Sequence, residues 1–351
     1  MRLLVVTQAV DQDDQALGFF HDWIAALAAR TERVTVICLY EGRHDLPENV
    51  AVHSLGKERS RVSHVRYAAR FLALAWQLRA TYDTVCVHMN QEYVLLAGSL
   101  WKALGKRVAL WRNHARGSFA TSIAIALTDR VFVTSSRAYA APFEKAKRMP
   151  VGIAVPEMLP TAARDPRALL YVGRLDPVKR IEIIIDACAL LQEYNHRFSL
   201  ALIGAPTPGR EAYAEQLAAL VRERKLGDAV TFRAPIPHAM LGEIYATQGV
   251  VVNATLPGSY DKTILEAAAY GCLSVACTDT YVADAPPACV YDGTAAGLAE
   301  TLDRLLALPE EDSERLRTEM RALAARNSLA ALADALADEL AALHPHAART
   351  Y

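Results

Sequence analysis

Short apolar runs rich in β-branched residues alternate with amphipathic stretches along the chain, and this pattern predicts strands and helices in alternation. The predicted strands are 2–8, 33–40, 84–89, 107–113, 130–135, 169–174, 198–204, 229–233, 250–254 and 273–277. The predicted helices are 15–30, 91–104, 179–194, 210–225, 294–307 and a long Ala-rich stretch, 309–343. Strands that alternate with helices favour parallel sheets covered by helices on both faces.

One segment, 156–168, interrupts this rhythm with the sequence PEMLPTAARDPRA, which has three prolines and no periodicity. Such a composition is typical of a linker. The sequence therefore predicts an α/β protein of two doubly wound domains, 1–158 and 165–324, joined near residue 160. The last stretch, about 325–351, is a candidate to pack back on the first domain.

Composition narrows the class of protein. The 351 residues are 52% hydrophobic, which is enough for two cores. The formal net charge is −1, so the basic excess expected of a nucleic-acid-binding protein is missing, and no nucleic-acid partner is expected. The six cysteines form no CxxC pair and are expected to be buried free thiols rather than a zinc or redox site.

The first residues, MRLLVVTQAV, predict a strand rather than a signal peptide, because the apolar core is short and polar residues follow. The sequence has no apolar run of about eighteen residues, so no membrane span is expected. These features predict a soluble or peripheral protein.

In parallel sheets ligands bind beyond the carboxyl ends of the strands. The stretch VGRLDPVKR places Arg174 at the end of a strand and Lys179 at the start of the next helix. Two cations beside free helix-start N–H groups suit a phosphate or diphosphate. An ordinary strand–helix turn with solvated cations is the alternative, and the two residues alone do not decide between them.

A lone carboxylate, Glu266, lies about one turn into a short helix predicted to start near Thr263. A diphosphate at the helix start would leave an attached ribose about one turn along, where a carboxylate can accept from two hydroxyls. The alternative is a capping or surface glutamate. Together with Arg174 and Lys179 the pattern favours ribose binding.

Two further features allow two explanations each. His114 ends the predicted strand RVALWRNH and could donate to a sugar hydroxyl, or serve a structural role. Residues 59–79 contain five arginines, one histidine and no acid, with an apolar side. Such a helix could lie on an anionic membrane or simply cover the sheet with solvated arginines.

The turn 204–211 lacks the Lys and Ser or Thr of a P-loop and is interpreted as a turn only.

Taken in order, YVGRLDPVKRIEIIIDACALL, FSLALIGA, VTFRAPIPHAMLGEIYATQGVVVNA and ILEAAAYGCLSVA resemble the C-terminal domain of the retaining glycosyltransferases of family four, which have the GT-B fold. The resemblance is strongest over about 165–305. In the first half, VHMNQEYVLLAGSLWKALGKRVALWRNH resembles a bacterial and archaeal branch of that family. The resemblance implies two Rossmann-like domains that face each other across a cleft.

The resemblance also implies roles for particular residues. Arg174 and Lys179 match the donor-diphosphate pair, and His114 matches the strand-end histidine near the transferred sugar. Glu266 matches the second glutamate of the E-x7-E motif, which binds ribose. Gly18 resembles the glycine that lets the backbone approach the donor. The loop Ala234, Pro235 and Ile236 resembles the one that holds the nucleobase through backbone groups.

One departure from the family pattern affects the donor sugar. Gly258 stands where the first glutamate of the motif belongs, eight residues before Glu266. The contacts of that glutamate are expected from the residues that follow Gly258, which are Ser259, Tyr260, Asp261, Lys262 and Thr263.

By resemblance, the chain is expected to move a sugar from a nucleoside-diphosphate-sugar donor to a hydroxyl acceptor with retention of configuration. No metal and no cofactor besides the donor substrate are expected. The acceptor, with lipid-linked molecules among the candidates, would belong to cell-surface polysaccharide or glycolipid synthesis. The expected location is the cytoplasm, with peripheral binding at the inner face of the membrane through 59–79. The alternatives are a nucleotide-sugar epimerase of the same fold and a catalytically silent sugar-nucleotide-binding protein.

Overall fold

The computed structural model describes residues 1–14, 17–60, 62–256 and 261–344. The chain forms two compact units. The first unit contains Met1–Gly152 and Leu329–Tyr351, and the second contains Ile153–Ser328.

The described residues form twelve strands and twelve α-helices. The strands are β1 Arg2–Val10, β2 Arg33–Glu41, β3 Val50–Ser54, β4 Thr84–His88, β5 Arg107–Trp111, β6 Arg130–Val133, β7 Ala146–Arg148, β8 Asp165–Val172, β9 Ser199–Ile203, β10 Val230–Arg233, β11 Gln248–Asn253 and β12 Leu273–Ala276. The helices are α1 Phe19–Ala28, α2 His64–Gln77, α3 Gln91–Ala103, α4 Phe119–Ala126, α5 Ile181–Glu193, α6 Glu211–Glu223, α7 Leu241–Thr247, α8 Lys262–Ala269, α9 Asp279–Val282, α10 Ala295–Leu306, α11 Glu310–Arg326 and α12 Leu329–Ala341.

The first unit is built on a parallel sheet with the strand order β3-β2-β1-β4-β5-β6-β7. The central strand β1 is apolar on both faces because both faces are covered. Leu3 and Val5 pack in a cluster with Trp23 of α1 and Leu332 of α12. Leu4 and Val6 pack on the opposite face, in a cluster with Phe71 of α2 and Trp101 of α3. Because both faces of β1 are buried, successive residues of the strand are apolar rather than alternating with polar ones.

The second unit has a parallel sheet in the order β10-β9-β8-β11-β12. Leu170, Ile203 and Val251 come from its three central strands and form one cluster with Tyr245 of α7 and Ala267 of α8. The helices α5 and α10 pack side by side in the same unit. The predicted fold class, doubly wound parallel sheets with helices, is confirmed.

Two strands were not predicted from the sequence. Strand β3, Val50–Ser54, lies at one edge of the first sheet and is half-buried along its whole length. Strand β7, Ala146–Arg148, lies at the other edge and has only three residues, two of them exposed. Edge strands need little hydrophobic sequence because one side of the ladder has no neighbour, so they leave a weak pattern.

Two boundary predictions were wrong. Strand β8 begins at Asp165, inside the segment predicted as a linker. The single helix predicted over 309–343 is two helices, α11 and α12, separated at Asn327 and Ser328. The break coincides with the point where the chain passes from the second unit to the first. Helix propensity is high on both sides of the break, so the local sequence does not predict the break. Leu332 and Leu336 pack into the core of the first unit, and this packing determines where the helix ends.

All six cysteines are buried and free, as predicted. In the parts of the chain that the structure describes, no helix combines the length and apolar character needed to cross a membrane.

Candidate functional site

The loop after β8 is held by very close backbone contacts. Gly173 N donates to the carbonyl oxygen of Ile203 at 3.0 Å, and Leu175 N donates to that of Ala205 at 2.8 Å. A Cβ atom on Gly204 would clash with the carbonyl oxygen of Gly173, so only glycine fits there. The ends of β8 and β9 therefore lie against each other and fix where Arg174 leaves the sheet.

Arg174 is exposed at this carboxyl edge. Its carbonyl oxygen accepts a hydrogen bond of 2.9 Å from the hydroxyl of buried Tyr171. Burial raises the pKa of Tyr171 well above its ordinary value; the carboxylate of Asp261 raises it further and the Arg174 charge lowers it. Both charges therefore lie around one buried hydroxyl. Among the described residues, the Arg174 guanidinium forms no hydrogen bond or ion pair, so it remains available to an anion.

Lys179 is the last residue of a single 3₁₀ turn, Pro177–Lys179. The Asp176 carboxylate caps this turn by accepting from Val178 N at 3.0 Å. The next residue, Arg180, has φ 52° and ψ 45°, the left-handed region that is uncommon for a non-glycine residue. Its guanidinium donates to the carbonyl oxygen of Gly293 at 3.0 Å, which anchors the turn to another part of the unit.

The Lys179 ammonium is already engaged in an ion pair. Nζ lies 2.5 Å from Oδ1 of Asp261, and both side chains are mostly buried, with 14% and 17% exposure. The other carboxylate oxygen, Oδ2, accepts from Asn253 Nδ2 at 2.6 Å and from Thr255 Oγ1 at 2.7 Å. Asn253 ends β11, so Asp261 ties the turn after β8 to the end of the neighbouring strand.

The protonation state of Asp261 follows from these partners. Burial alone would raise the pKa of Asp261, but the Lys179 charge and the three hydrogen bonds outweigh burial and hold it below its ordinary value. The carboxylate is therefore ionised at neutral pH.

Helix α8 begins directly after Asp261, and the carboxylate does not cap it. Because that side chain is directed to Lys179, it does not accept from the amides of the first turn. An uncapped helix start with a positive dipole end suits an anion. Its place beside the Lys179–Asp261 pair makes it part of the same site.

Glu266 lies one turn into α8, as predicted, but its position is buried rather than exposed. The residue is only 8% exposed. Its Oε1 lies 3.1 Å from Nε2 of His238, whose side chain is 69% exposed. The alternative of a surface glutamate is wrong, because α8 packs with α7 and buries this side chain. His238 was missed by the sequence analysis, although it lies only two residues after the predicted nucleobase loop.

That loop, Ala234–Ile236, follows β10. Ala234 and Pro235 are exposed, whereas Ile236 packs against the apolar cluster that includes Tyr245 and Ala267. Because His238 contacts Glu266, the loop and the carboxylate lie together. The structure thus brings the predicted nucleobase loop and the predicted ribose residue to one place.

Gly18 and His114 belong to the first unit. Gly18 starts α1, where a Cβ atom would lie 2.7 Å from the carbonyl oxygen of Asp14, so a side chain does not fit without a backbone shift. His114 is exposed after β5 and its Nδ1 accepts from Arg116 N at 2.9 Å. This bond orients the ring and leaves Nε2 for another partner.

Some predicted residues lie outside the described part of the chain. They are Ser259 and Tyr260, together with the motif position Gly258. Asn253 and Thr255, which the sequence analysis did not single out as ligands of Asp261, are polar residues at the end of a buried strand, and that placement was the available signal. Within the described ranges, no group of three or more His, Cys, Asp or Glu side chains could hold a metal ion.

The sequence of the second unit is similar to a known family. Residues 166–325 match the family described as "Glycosyl transferases group 1". The match spans less than half of the chain and shows what this part of it resembles. The match contains Arg174, Lys179, Asp261 and Glu266, so every charged residue of the site described in the second unit lies within the group 1 region.

Two curated relatives of this region have the same name. The D-inositol 3-phosphate glycosyltransferase of Thermomonospora curvata is 31% identical over 186 residues, which cover 50% of this chain and 42% of that protein. The protein of the same name from Frankia alni is 32% identical over 155 residues, covering 42% of this chain and 38% of that protein. The matched part therefore spans less than half the length of these relatives.

Solved structures extend the likeness to nearly the whole chain. HepE of Anabaena, in complex with UDP, superposes with a TM-score of 0.78 at 16% identity, covering 97% of this chain and all of that one. Sucrose-phosphate synthase of Thermosynechococcus elongatus gives a TM-score of 0.76 at 18% identity, covering 98% of this chain and all of that one. These neighbours show that the chain has the GT-B fold, as predicted.

Proposed function

We propose that this protein is a glycosyltransferase that moves a sugar from a nucleoside-diphosphate-sugar donor to a hydroxyl acceptor, with retention of configuration. The observation that carries the proposal is the edge of the second sheet, where exposed Arg174, the Lys179–Asp261 pair and the uncapped start of α8 lie in a region of group 1 sequence. Each of these features favours a bound diphosphate.

The donor would lie along α8. Its diphosphate would accept from the first-turn amides and from Arg174, and its ribose hydroxyls would reach Glu266 about 6 Å further along the helix axis. Its base would meet the backbone of Ala234 and Pro235. UDP in the Anabaena HepE structure supports a nucleoside diphosphate as the ligand class.

Catalysis would come from electrostatic stabilisation of the departing diphosphate. Negative charge grows on the leaving group as the glycosidic bond breaks, and Arg174, Lys179 and the α8 amides would face that charge as it develops. The acceptor hydroxyl would attack on the leaving-group face and pass its proton to a diphosphate oxygen. His114 would contact the transferred sugar through Nε2, and no protein nucleophile is required.

The acceptor is proposed to belong to cell-surface polysaccharide or glycolipid synthesis in a bacterium, and a surface of the first unit supports a membrane-side location. Helix α2 contains no acid, and its outer face exposes Val65 and Trp76 beside Arg66. Arg79 lies over the Trp76 ring at 4.3 Å. Basic and apolar side chains on one helix face suit an anionic bilayer surface.

The test is release of nucleoside diphosphate from a panel of nucleotide sugars, measured with and without hydroxyl acceptors. Acceptor-dependent release with transfer of the sugar is the expected result. Interconversion of the sugar without an acceptor would identify an epimerase instead. Binding without either reaction would identify a silent sugar-nucleotide-binding protein. The anomeric configuration of the product, read by proton NMR, tests retention.

A further inference from the structure

Asp261 stands among the residues from which a donor-sugar contact was expected, but its carboxylate already accepts three hydrogen bonds. Oδ1 holds the Lys179 ammonium, and Oδ2 accepts from Asn253 and Thr255. A carboxylate that already accepts three short hydrogen bonds has little capacity left for a sugar hydroxyl. Its function therefore has to be sought in what it holds.

What it holds is a flexible cation. A lysine ammonium ends a four-carbon stem and carries three donors. The Asp261 carboxylate uses one donor and leaves the others for a ligand. The backbone of Lys179 is fixed independently, by the Asp176 cap and the anchored Arg180. With both ends of the side chain fixed, the ammonium has one position.

That position is next to the start of α8, because Asp261 is the residue immediately before the helix. The same carboxylate would be able to cap α8, but it makes no such bond. Asn253 and Thr255 hold it in the orientation that faces Lys179 instead. The arrangement therefore supplies a fixed cation at the start of the helix.

We propose that Asp261 is a positioning residue, which holds the Lys179 ammonium beside the first turn of α8 so that a departing diphosphate meets a fixed cation. The inference rests on the proposed function. It assigns Asp261 a role through Lys179 rather than a contact with the donor sugar. A preorganised cation stabilises developing charge without the cost of reorienting during the reaction.

Other charged and titratable groups face the same place and have to stay unchanged in the test. Arg174 and Asp176 lie in the loop after β8, and Tyr171 lies beneath them. Tyr213 of α6 is close enough to affect Tyr171 and donates to Glu182 at 2.5 Å. None of these is substituted, so any change reports on the Lys179–Asp261 pair.

A double-mutant cycle tests the proposal. Asp261→Asn keeps the size of the side chain and removes its charge, and Lys179→Met keeps the stem and removes the ammonium. If Asp261 acts through Lys179, Asp261→Asn lowers kcat at least about tenfold with a change in donor KM below about threefold. In the Lys179→Met background the same change lowers kcat by less than about twofold.

Each single variant leaves one partner of a mostly buried ion pair without its counter-charge, which could destabilise the fold. The double variant avoids this, because it has neither charge. Asp228→Asn, at an exposed position of the same unit, controls for the loss of one negative charge. An equal effect of Asp261→Asn in both backgrounds would overturn the proposal, as would wild-type kcat in Asp261→Asn.

A second measurement does not depend on catalysis. Pulsed acetylation with acetic anhydride at one fixed pH, followed by mass spectrometry, gives the rate at which the Lys179 amine is labelled. In wild type the amine is mostly buried and held by Asp261, so in folded Asp261→Asn it should be labelled at least about threefold faster. An unchanged labelling rate would refute the positioning role. Faster labelling in a protein that transfers no sugar would support the pair and reject the proposed function.

Discussion

Glu266 and His238 form a contact between a buried carboxylate and an exposed imidazole, with Oε1 and Nε2 separated by 3.1 Å. Their side chains are 11% and 69% exposed, so the carboxylate is mostly buried while its partner is open to solvent. A ribose at Glu266 would have to share or replace His238. Ribose binding at Glu266 can therefore be tested by comparing a variant of Glu266 with a variant of His238.

Glu266→Gln is expected to weaken binding of UDP, because the amide accepts less strongly from two hydroxyls. The loss of a charge-assisted contact should cost on the order of 1.5–3 kcal/mol in affinity. His238→Ala, the matched control, removes the exposed partner and should change affinity less than about threefold. Calorimetric titration at fixed pH measures both. Unchanged affinity in folded Glu266→Gln would contradict ribose binding.

Arg174→Ala should lower turnover more than it weakens donor binding, because the guanidinium faces charge that grows in the transition state. Removing one such donor should reduce kcat by about 10²- to 10³-fold. Steady-state kinetics separates kcat from KM, and Arg315→Ala, at an exposed position of α11, provides the control. A raised KM with normal kcat would assign Arg174 to uniform binding instead.

Acid should selectively weaken the contribution of Asp261 to stability. Its folded-state pKa lies below the ordinary value of 3.8, so the group stabilises the fold above that value. The contribution is lost as pH falls through the lower folded-state pKa. Urea unfolding should show wild type more stable than Asp261→Asn at about pH 6 and a smaller difference at about pH 3. A gap that widens on acidification would be inconsistent with the ionised, paired carboxylate.

Chelation by EDTA should leave sugar transfer intact, because Arg174, Lys179 and the α8 amides supply the positive potential for the diphosphate. The experiment is informative because Asp176 and Asp261 reduce the net positive charge near those cations. Activity with and without EDTA, followed by addition of magnesium, measures it. Complete loss that magnesium restores would show that protein cations do not suffice.

Binding to anionic vesicles should depend on the outer face of α2. Each arginine near an anionic surface contributes about 1 kcal/mol, and the attraction falls as salt is added. Arg66→Gln with Arg79→Gln should therefore reduce cosedimentation with phosphatidylglycerol vesicles at low salt. Arg70 is left intact because it ties α2 to the carbonyl oxygen of Leu55 at 2.9 Å, whereas Arg79 donates to Trp76, three residues away. Arg61 lies outside the described residues.

Arg315→Gln provides the control for that experiment, since it removes an exposed arginine from the second unit. Vesicles of neutral phosphatidylcholine give the baseline. Equal, negligible binding to both kinds of vesicle at low salt would favour an acceptor in solution and a merely solvated α2.

The sequence by itself determined the fold class and the position of most strands. A strand such as β1 is buried on both faces, so nearly all of its residues are apolar and the signal is strong. The edge strands β3 and β7 were not predicted, because each is paired on one side only and is partly exposed, which leaves a weaker apolar pattern. The placement of Arg174, Lys179 and Glu266 at one sheet edge also followed from the sequence, since carboxyl ends of parallel strands share an edge.

Only the tertiary structure decided which of these side chains meet. Lys179 and Asp261 are separated by 82 positions, and Asp261 and Asn253 by eight, yet the three form one hydrogen-bonded group. Local sequence fixes the strand end and the helix start but not the direction of a side chain between them. That direction depends on desolvation and on partners from other strands, so the occupied state of Asp261 and the burial of Glu266 could be known only from the folded chain.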